Sequence, residues 1–96
     1  MIVAVSVFEI HIPSSRSLKE KRRVIKSLIQ KIHHRFRVSI AESDHHDLHQ
    51  RAEIAIAAVN RTSADAERMM EKIREMIDRV PEAILISWQP EYLESA

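Results

Sequence analysis

The chain has 96 residues and no glycine, and this absence limits its possible functions more than any other feature of the sequence. An average chain of this length would contain about seven glycines. Phosphate-binding loops, dinucleotide-binding fingerprints and KH-type RNA-binding loops all need glycine to bring the backbone close to phosphate, so they are excluded. Cysteine is also absent, which excludes disulfide scaffolds, zinc knuckles, thiol catalysis and iron–sulfur clusters.

Charge is distributed unevenly along the chain, although the formal net charge is only +1. Residues 16–37 contain nine basic residues and a single acidic one, Glu20, which gives this segment a charge of +8. The remaining residues, six basic and thirteen acidic, sum to −7. A block of one sign is typical of a surface that meets an anionic partner.

The apolar residues predict four β-strands and two α-helices. The strands are expected at residues 2–12, 36–42, 51–60 and 83–88. The alanines of 51–60 leave a helix as an alternative for that segment. Both faces of 2–12 are apolar at first, which indicates a central strand.

The first helix is expected to run from about residue 17 to residue 34. Ser17 and Glu20 have the spacing of a capping box, and apolar residues then recur every three or four positions. The second helix is expected to begin at Thr62 or Ser63 and to end at Pro81. Its predicted inner face consists of Ala66, Met69, Met70, Ile73, Met76, Ile77 and Val80.

The order βαββαβ predicts an α+β protein of the ferredoxin-like fold. This fold has a four-stranded antiparallel sheet with both helices on one face. Right-handed crossovers place the first and third strands in the middle of the sheet. We expect residues 1–96 to form a single domain, since no linker, repeat or low-complexity tract interrupts the pattern.

The sequence gives no sign of export or of membrane insertion. The apolar stretch Ile2–Phe8 has no basic lead-in and is interrupted by Glu9, unlike a secretory signal. No apolar stretch approaches the length needed to cross a bilayer. We therefore expect a cytoplasmic protein with no membrane partner.

The strongest candidate site is the basic first helix. Its helical spacing places four cations together beside the apolar stripe, where they are expected to bind RNA phosphates: Lys19, Arg22, Arg23 and Lys26. Arg16, Lys31 and Arg35 are expected to support them. The alternatives are a solvated helix face and an internal ion-pair network of Lys19, Glu20 and Arg22. A solubility face usually mixes both signs, and this one does not.

A second candidate is the polar turn at residues 43–50, which is rich in histidine and aspartate. Its possible metal ligands are His45, His46, His49 and Asp47, with Asp44 adjacent and His11 able to join from another strand. The alternative is a polar turn whose histidines face water. We expect no cofactor, no metal and no catalytic residue.

The third candidate is the sheet face that the helices leave open. RNA-recognition domains stack bases on aromatic residues of the central strands, but here the first strand offers only Phe8 and the third offers none. An apolar face without aromatic residues favours burial against another copy of the chain. We therefore expect a homo-oligomer, most simply a homodimer.

The sequence resembles the YlxP-like family of small bacterial proteins, which are assigned to a domain of unknown function. The resemblance lies in Ser17–Arg22 and Val24–Leu28, and continues in Arg35-Phe36, Val38-Ser39, Ala41-Glu42, Asp47-Leu48 and Gln50-Arg51-Ala52. It covers nearly the whole chain, and it implies a ferredoxin-like fold and a ribosome-associated role. It implies no catalytic residue. Members of the family usually have tryptophan where this chain has His49.

These observations predict a non-enzymatic protein that binds structured RNA or the ribosome through its first helix. One alternative is a protein-interaction module that oligomerises through the sheet, its acidic remainder meeting the basic helix of a neighbour. The other is a metal-dependent enzyme centred on the histidine-rich turn.

Overall fold

The computed structural model describes residues 1–94 and has the predicted βαββαβ order, followed by one additional short strand. The elements are β1 (Ile2–His11), α1 (Leu18–Arg35), β2 (Ser39–Asp44), β3 (Arg51–Asn60), α2 (Ser63–Asp78), β4 (Ile84–Leu85) and β5 (Glu91–Glu94). Both helices begin as their cap residues predict. The Ser17 hydroxyl accepts a hydrogen bond from the Glu20 N–H, and that of Thr62 accepts one from the Asp65 N–H, each at 3.1 Å.

The strands form one antiparallel sheet in the order β2-β3-β1-β4, which confirms the predicted ferredoxin-like arrangement. β1 and β3 pair over their full length, from Ile2 opposite Asn60 to His11 opposite Arg51. The two strands that the pattern placed in the middle are therefore the central pair. β4 and β5 lie on the same edge of β1. β5 pairs with the first half of β1, and β4 pairs with the end of β1.

One face of the sheet carries the core and both helices. Phe8 and Ile10 of β1 lie beside Ile54 of β3, and the buried faces of α1 and α2 pack over them. Alternate residues of β1 and β3 point away from the helices, and this second face is uncovered among residues 1–94. The alternation of buried and exposed residues excludes the helical alternative for 51–60.

The C-terminal strand prediction was partly wrong. Of the predicted strand 83–88, only Ile84 and Leu85 pair with β1, as β4. One further backbone hydrogen bond follows, in which the Ile86 N–H donates to the Glu9 carbonyl oxygen at 2.9 Å. The chain then leaves the β1 edge and returns as β5. Trp88 instead packs against the core, and the centroid of its ring lies 5.3 Å from that of the Phe8 ring.

The second strand also begins later than predicted, at Ser39 rather than at residue 36. Phe36 belongs to the end of α1, since its N–H donates to the Ile32 carbonyl oxygen at 2.9 Å. Between residues 1 and 94, neither helix has the length and apolar character required to span a membrane.

Candidate nucleic-acid interface on helix α1

The start of α1 is fixed by two hydrogen bonds that also determine the position of its single acidic residue. Ser17 caps the helix, and the Glu20 carboxylate accepts a hydrogen bond from the Arg16 N–H at 2.6 Å. A carboxylate in the first turn also interacts favourably with the helix dipole. Glu20 therefore serves the cap, and it forms no ion pair with any residue between 1 and 94.

The outward face of α1 is a surface of cations without ion-pair partners. We call Lys19, Arg22, Arg23 and Lys26 the α1 ridge; all four are exposed. None of them forms an ion pair with another residue in the described part of the chain. The alternative of an internal ion-pair network around Lys19 and Arg22 is therefore wrong.

The three supporting cations are exposed and equally free of ion pairs within residues 1–94, but they do not all extend the ridge. Arg16 precedes the helix, close to the ridge. Lys31 lies on the side of α1 that faces the turn after α2. Arg35 ends the helix, and its guanidinium carbon lies 5.3 Å from the centre of the Phe36 ring. The structure thus groups the first four residues, adds Arg16 at the start of the helix, and places Lys31 and Arg35 farther along, toward its C-terminal end.

Between α1 and β2, a groove of about 480 Å³ runs beside the ridge. Its polar lining consists of Arg22, Lys26, Gln30 and the Glu42 carboxylate that pairs with Lys21, and Ile25 and Ile29 form its apolar wall. The groove places apolar surface next to two unpaired cations and one carboxylate.

Lys21 lies in the same basic motif but belongs to the interior. Its side chain is 0% exposed, and its ammonium group contacts three acceptors from other elements. Nζ lies 2.9 Å from Glu42 Oε2, 2.7 Å from the His45 carbonyl oxygen and 3.2 Å from that of Arg51. Lys21 therefore positions β2 and the polar turn against α1, and it is unavailable to a ligand.

Sequence reasoning missed this role, although a signal for it was present. The residues that α1 buries include 21, 25, 28 and 32, which follow one helical repeat. Position 21 thus lies on the inner face, where a lysine needs a buried partner.

The polar turn does not bring the predicted metal ligands together. His46 donates from Nε2 to the Glu42 carbonyl oxygen at 3.1 Å, while Asp47 and His49 are exposed. Among the described residues, the metal-binding side chains within 4.8 Å of one another are those of Asp44, His45 and Glu53. Glu53 comes from β3, and no sequence pattern joins it to the turn.

His45 instead takes part in a hydrogen-bonded cluster with Glu9 and Arg51 on the open sheet face. Its backbone φ of 64° is left-handed, and its Nε2 lies 2.6 Å from Glu9 Oε1. The Arg51 guanidinium lies 2.6 Å from Glu9 Oε2. The hydrogen bond from His45, followed by that from Arg51, lowers the pKa of the Glu9 carboxyl below its ordinary value of 4.5. The cluster holds the turn against β1 and β3.

Comparison with known proteins identifies the family of this chain. The model of a family described as "Protein of unknown function (DUF503)" matches residues 3–89. The chain belongs to the DUF503 family. A relative in this family, "Uncharacterized protein YlxP" of Bacillus subtilis (strain 168), is 38% identical over 66 residues, which cover 69% of this chain and 72% of the relative. The resemblance to YlxP-like proteins is thereby confirmed.

Proposed function

We propose that this DUF503 protein is a non-enzymatic RNA-binding protein, and that the α1 ridge contacts the phosphates of structured RNA, including that of the ribosome. The observation that carries the proposal is the set of seven exposed cations on and beside α1 that have no ion-pair partner within residues 1–94. RNA phosphates would pair with these cations, and the release of counterions from the RNA would favour binding.

Recognition would depend on the shape and charge of the RNA. The open sheet face offers valine and alanine from its central strands, and Phe8 is buried on the other face, so stacking of bases across the sheet is disfavoured. Phosphate contacts orient a protein on nucleic acid without reading the base sequence. We therefore expect similar affinities for RNA hairpins of different sequence and equal length.

The test is a comparison of two double variants with the same change in charge. Arg22→Glu with Lys26→Glu alters the ridge, while Arg61→Glu with Lys72→Glu alters exposed cations near and on α2. Affinity for an RNA hairpin is measured at low salt. We expect the ridge variant to bind at least tenfold more weakly than the control variant. Equal affinities of the two variants would show that the ridge is not the binding surface.

The second candidate function is self-association through the open sheet face. Val7, Val59 and Leu93 are more than half exposed, at 56%, 66% and 57%, and Ala55 and Ala57 lie between them. A second copy of the chain would cover this apolar surface in a symmetric interface, to which each copy contributes the same residues. Light scattering at micromolar concentration should detect a dimer, and Val59→Lys should give a monomer. A monomeric unmodified protein would dismiss this candidate.

A further inference from the structure

A pocket of about 270 Å³ opens between the middle of α1 and the turn that follows α2. Cations from two separate elements line it: Arg23 and Lys31 from α1, and Arg79 from the end of α2. Glu82 is the acidic residue of its lining. None of the three cations forms an ion pair with any residue from 1 to 94.

The α1 side of the pocket is a single row of side chains. Arg23, Ser27 and Lys31 are spaced four residues apart, so they follow one another along the same side of the helix. The short Ser27 side chain leaves a hollow between two long cationic side chains. The buried residue Leu28 lines the same pocket and makes part of it apolar.

The opposite side is held in place by the end of α2. Arg79 caps this helix, and its N–H donates to the Glu75 carbonyl oxygen at 3.2 Å. Its backbone position is therefore determined by the helix, while its side chain is exposed. Glu82 offsets only part of the positive charge of the pocket, so three cations and one carboxylate leave the lining with a net charge of +2, which favours a bound anion.

We propose that this pocket binds one backbone phosphate of the RNA together with its adjoining sugar, an inference that rests on the proposed function. The two guanidinium groups can each donate two parallel hydrogen bonds to phosphate oxygens, and the ammonium group of Lys31 adds a third cation. The volume corresponds to roughly nine water molecules. This is space for a phosphate and a sugar, with the apolar wall against the sugar.

Two variants test the pocket without altering Arg22 or Lys26. Arg79→Gln removes a cation that lies outside α1, and Ser27→Leu fills the hollow without changing charge. The matched control is Lys72→Gln, which removes an exposed cation from the outer surface of α2. Affinity for the RNA hairpin is measured at fixed salt, and the thermal midpoint of each variant establishes that it is folded.

We expect Arg79→Gln to weaken RNA binding about tenfold, as loss of a charge-assisted contact does. Ser27→Leu should weaken it about as much, because the larger side chain excludes the phosphate from the hollow, and Lys72→Gln should change it less than twofold. If both pocket variants bind like the unmodified protein while Arg22→Glu with Lys26→Glu binds weakly, the pocket assignment is overturned and the proposed function stands. If none of these variants affects binding, both proposals fail.

A free nucleotide offers the same chemistry as the RNA backbone, and NMR distinguishes the two. The Arg79 side-chain Nε–H resonance is followed during titration with the hairpin and, separately, with uridine monophosphate. We expect the resonance to shift with both ligands, and the hairpin should produce the shift at concentrations at least tenfold lower than uridine monophosphate. Equal affinity for the mononucleotide, or a shift with it alone, would overturn the assignment to RNA.

Discussion

The Nζ atom of Lys21 lies 2.9 Å from Oε2 of Glu42, in a pair that joins α1 to β2 in the interior of the protein. Lys21 is fully buried, whereas the Glu42 side chain is 16% exposed. Two further bonds from Nζ, to carbonyl oxygens of His45 and Arg51, satisfy the remaining capacity of the ammonium group. One lysine thus fixes both ends of the polar turn between β2 and β3.

Replacing Lys21 by methionine should lower the free energy of unfolding by about 3 kcal/mol. The substitution leaves the Glu42 carboxylate and two carbonyl oxygens without their donor in a buried place, and breaking a buried pair in this way is strongly destabilising. Urea unfolding measures the change. Lys19→Met, on the exposed face of the same helix, is the control and should change stability by less than about 0.5 kcal/mol.

Removing both charges separates the ion pair from the carbonyl bonds. Lys21→Met with Glu42→Leu should recover part of the stability lost by Lys21→Met alone, because the unpaired carboxylate is gone. The recovery should be incomplete, since the His45 and Arg51 carbonyl oxygens still lack the donor. A Lys21→Met protein as stable as the unmodified one would contradict the described role of this lysine.

Glu9 should make stability depend on pH in the acidic range. Its carboxyl faces His45 and Arg51, which hold its pKa below 4.5, and it lies opposite Glu53 in the register of β1 and β3. A lowered pKa in the folded state contributes stability above pH 4.5, and this contribution is lost as the pH falls through the folded-state pKa.

Glu9→Gln should therefore be less stable than the unmodified protein at pH 6, and the difference should shrink as the pH is lowered toward 3. Urea unfolding at several pH values measures it. Glu75→Gln, which removes an exposed carboxylate from α2, is the control and should show a smaller change. A difference that is constant with pH would contradict the lowered pKa of Glu9, because the ionisation of this carboxyl would then contribute nothing to stability.

Ser6 should be replaceable by alanine with a gain in stability. Its side chain is buried on the inner face of β1, opposite Ile56, and its hydroxyl has no hydrogen-bond partner within residues 1–94. An unsatisfied buried hydroxyl costs about 1 kcal/mol or more. Ser6→Ala should raise the thermal midpoint by about 4 °C. The exposed Ser39→Ala is the control, and a lower midpoint for Ser6→Ala would show that the Ser6 hydroxyl does form a stabilising hydrogen bond.

The fold was predictable where local pattern and long-range pairing agree. Residues 51–60 form β3 with the predicted bounds, and the pairing of this segment with β1 and β2 excludes the helix that its alanines left open. The last strand was not predictable in detail, because the largely apolar segment 83–88 includes Trp88, which packs on Phe8 instead of extending the sheet. β5 has two glutamates in four residues, and its pairing depends on the free edge of β1, which the local sequence does not reveal.

The candidate site was predictable only where it lies on one element. Helical spacing alone indicated the ridge, since Lys19, Arg22, Arg23 and Lys26 share one face of one helix. Arg79 joins Arg23 at the same pocket from a position 56 residues along the chain, which only the packing of α2 beside α1 determines. The roles of Lys21 and Glu53 were likewise not predictable, because their contacts are with residues that are distant in the chain and are brought close by the fold.

The salt dependence of RNA affinity tests the central claim, that α1 binds RNA through its unpaired cations. The logarithm of the association constant for an RNA hairpin is plotted against the logarithm of the KCl concentration. If the four ridge residues each contact a phosphate, the slope for the unmodified protein should be about −3 or steeper. For Arg22→Glu with Lys26→Glu, the magnitude of the slope should be smaller by about two. A slope near zero, or one that this variant leaves unchanged, would contradict the account.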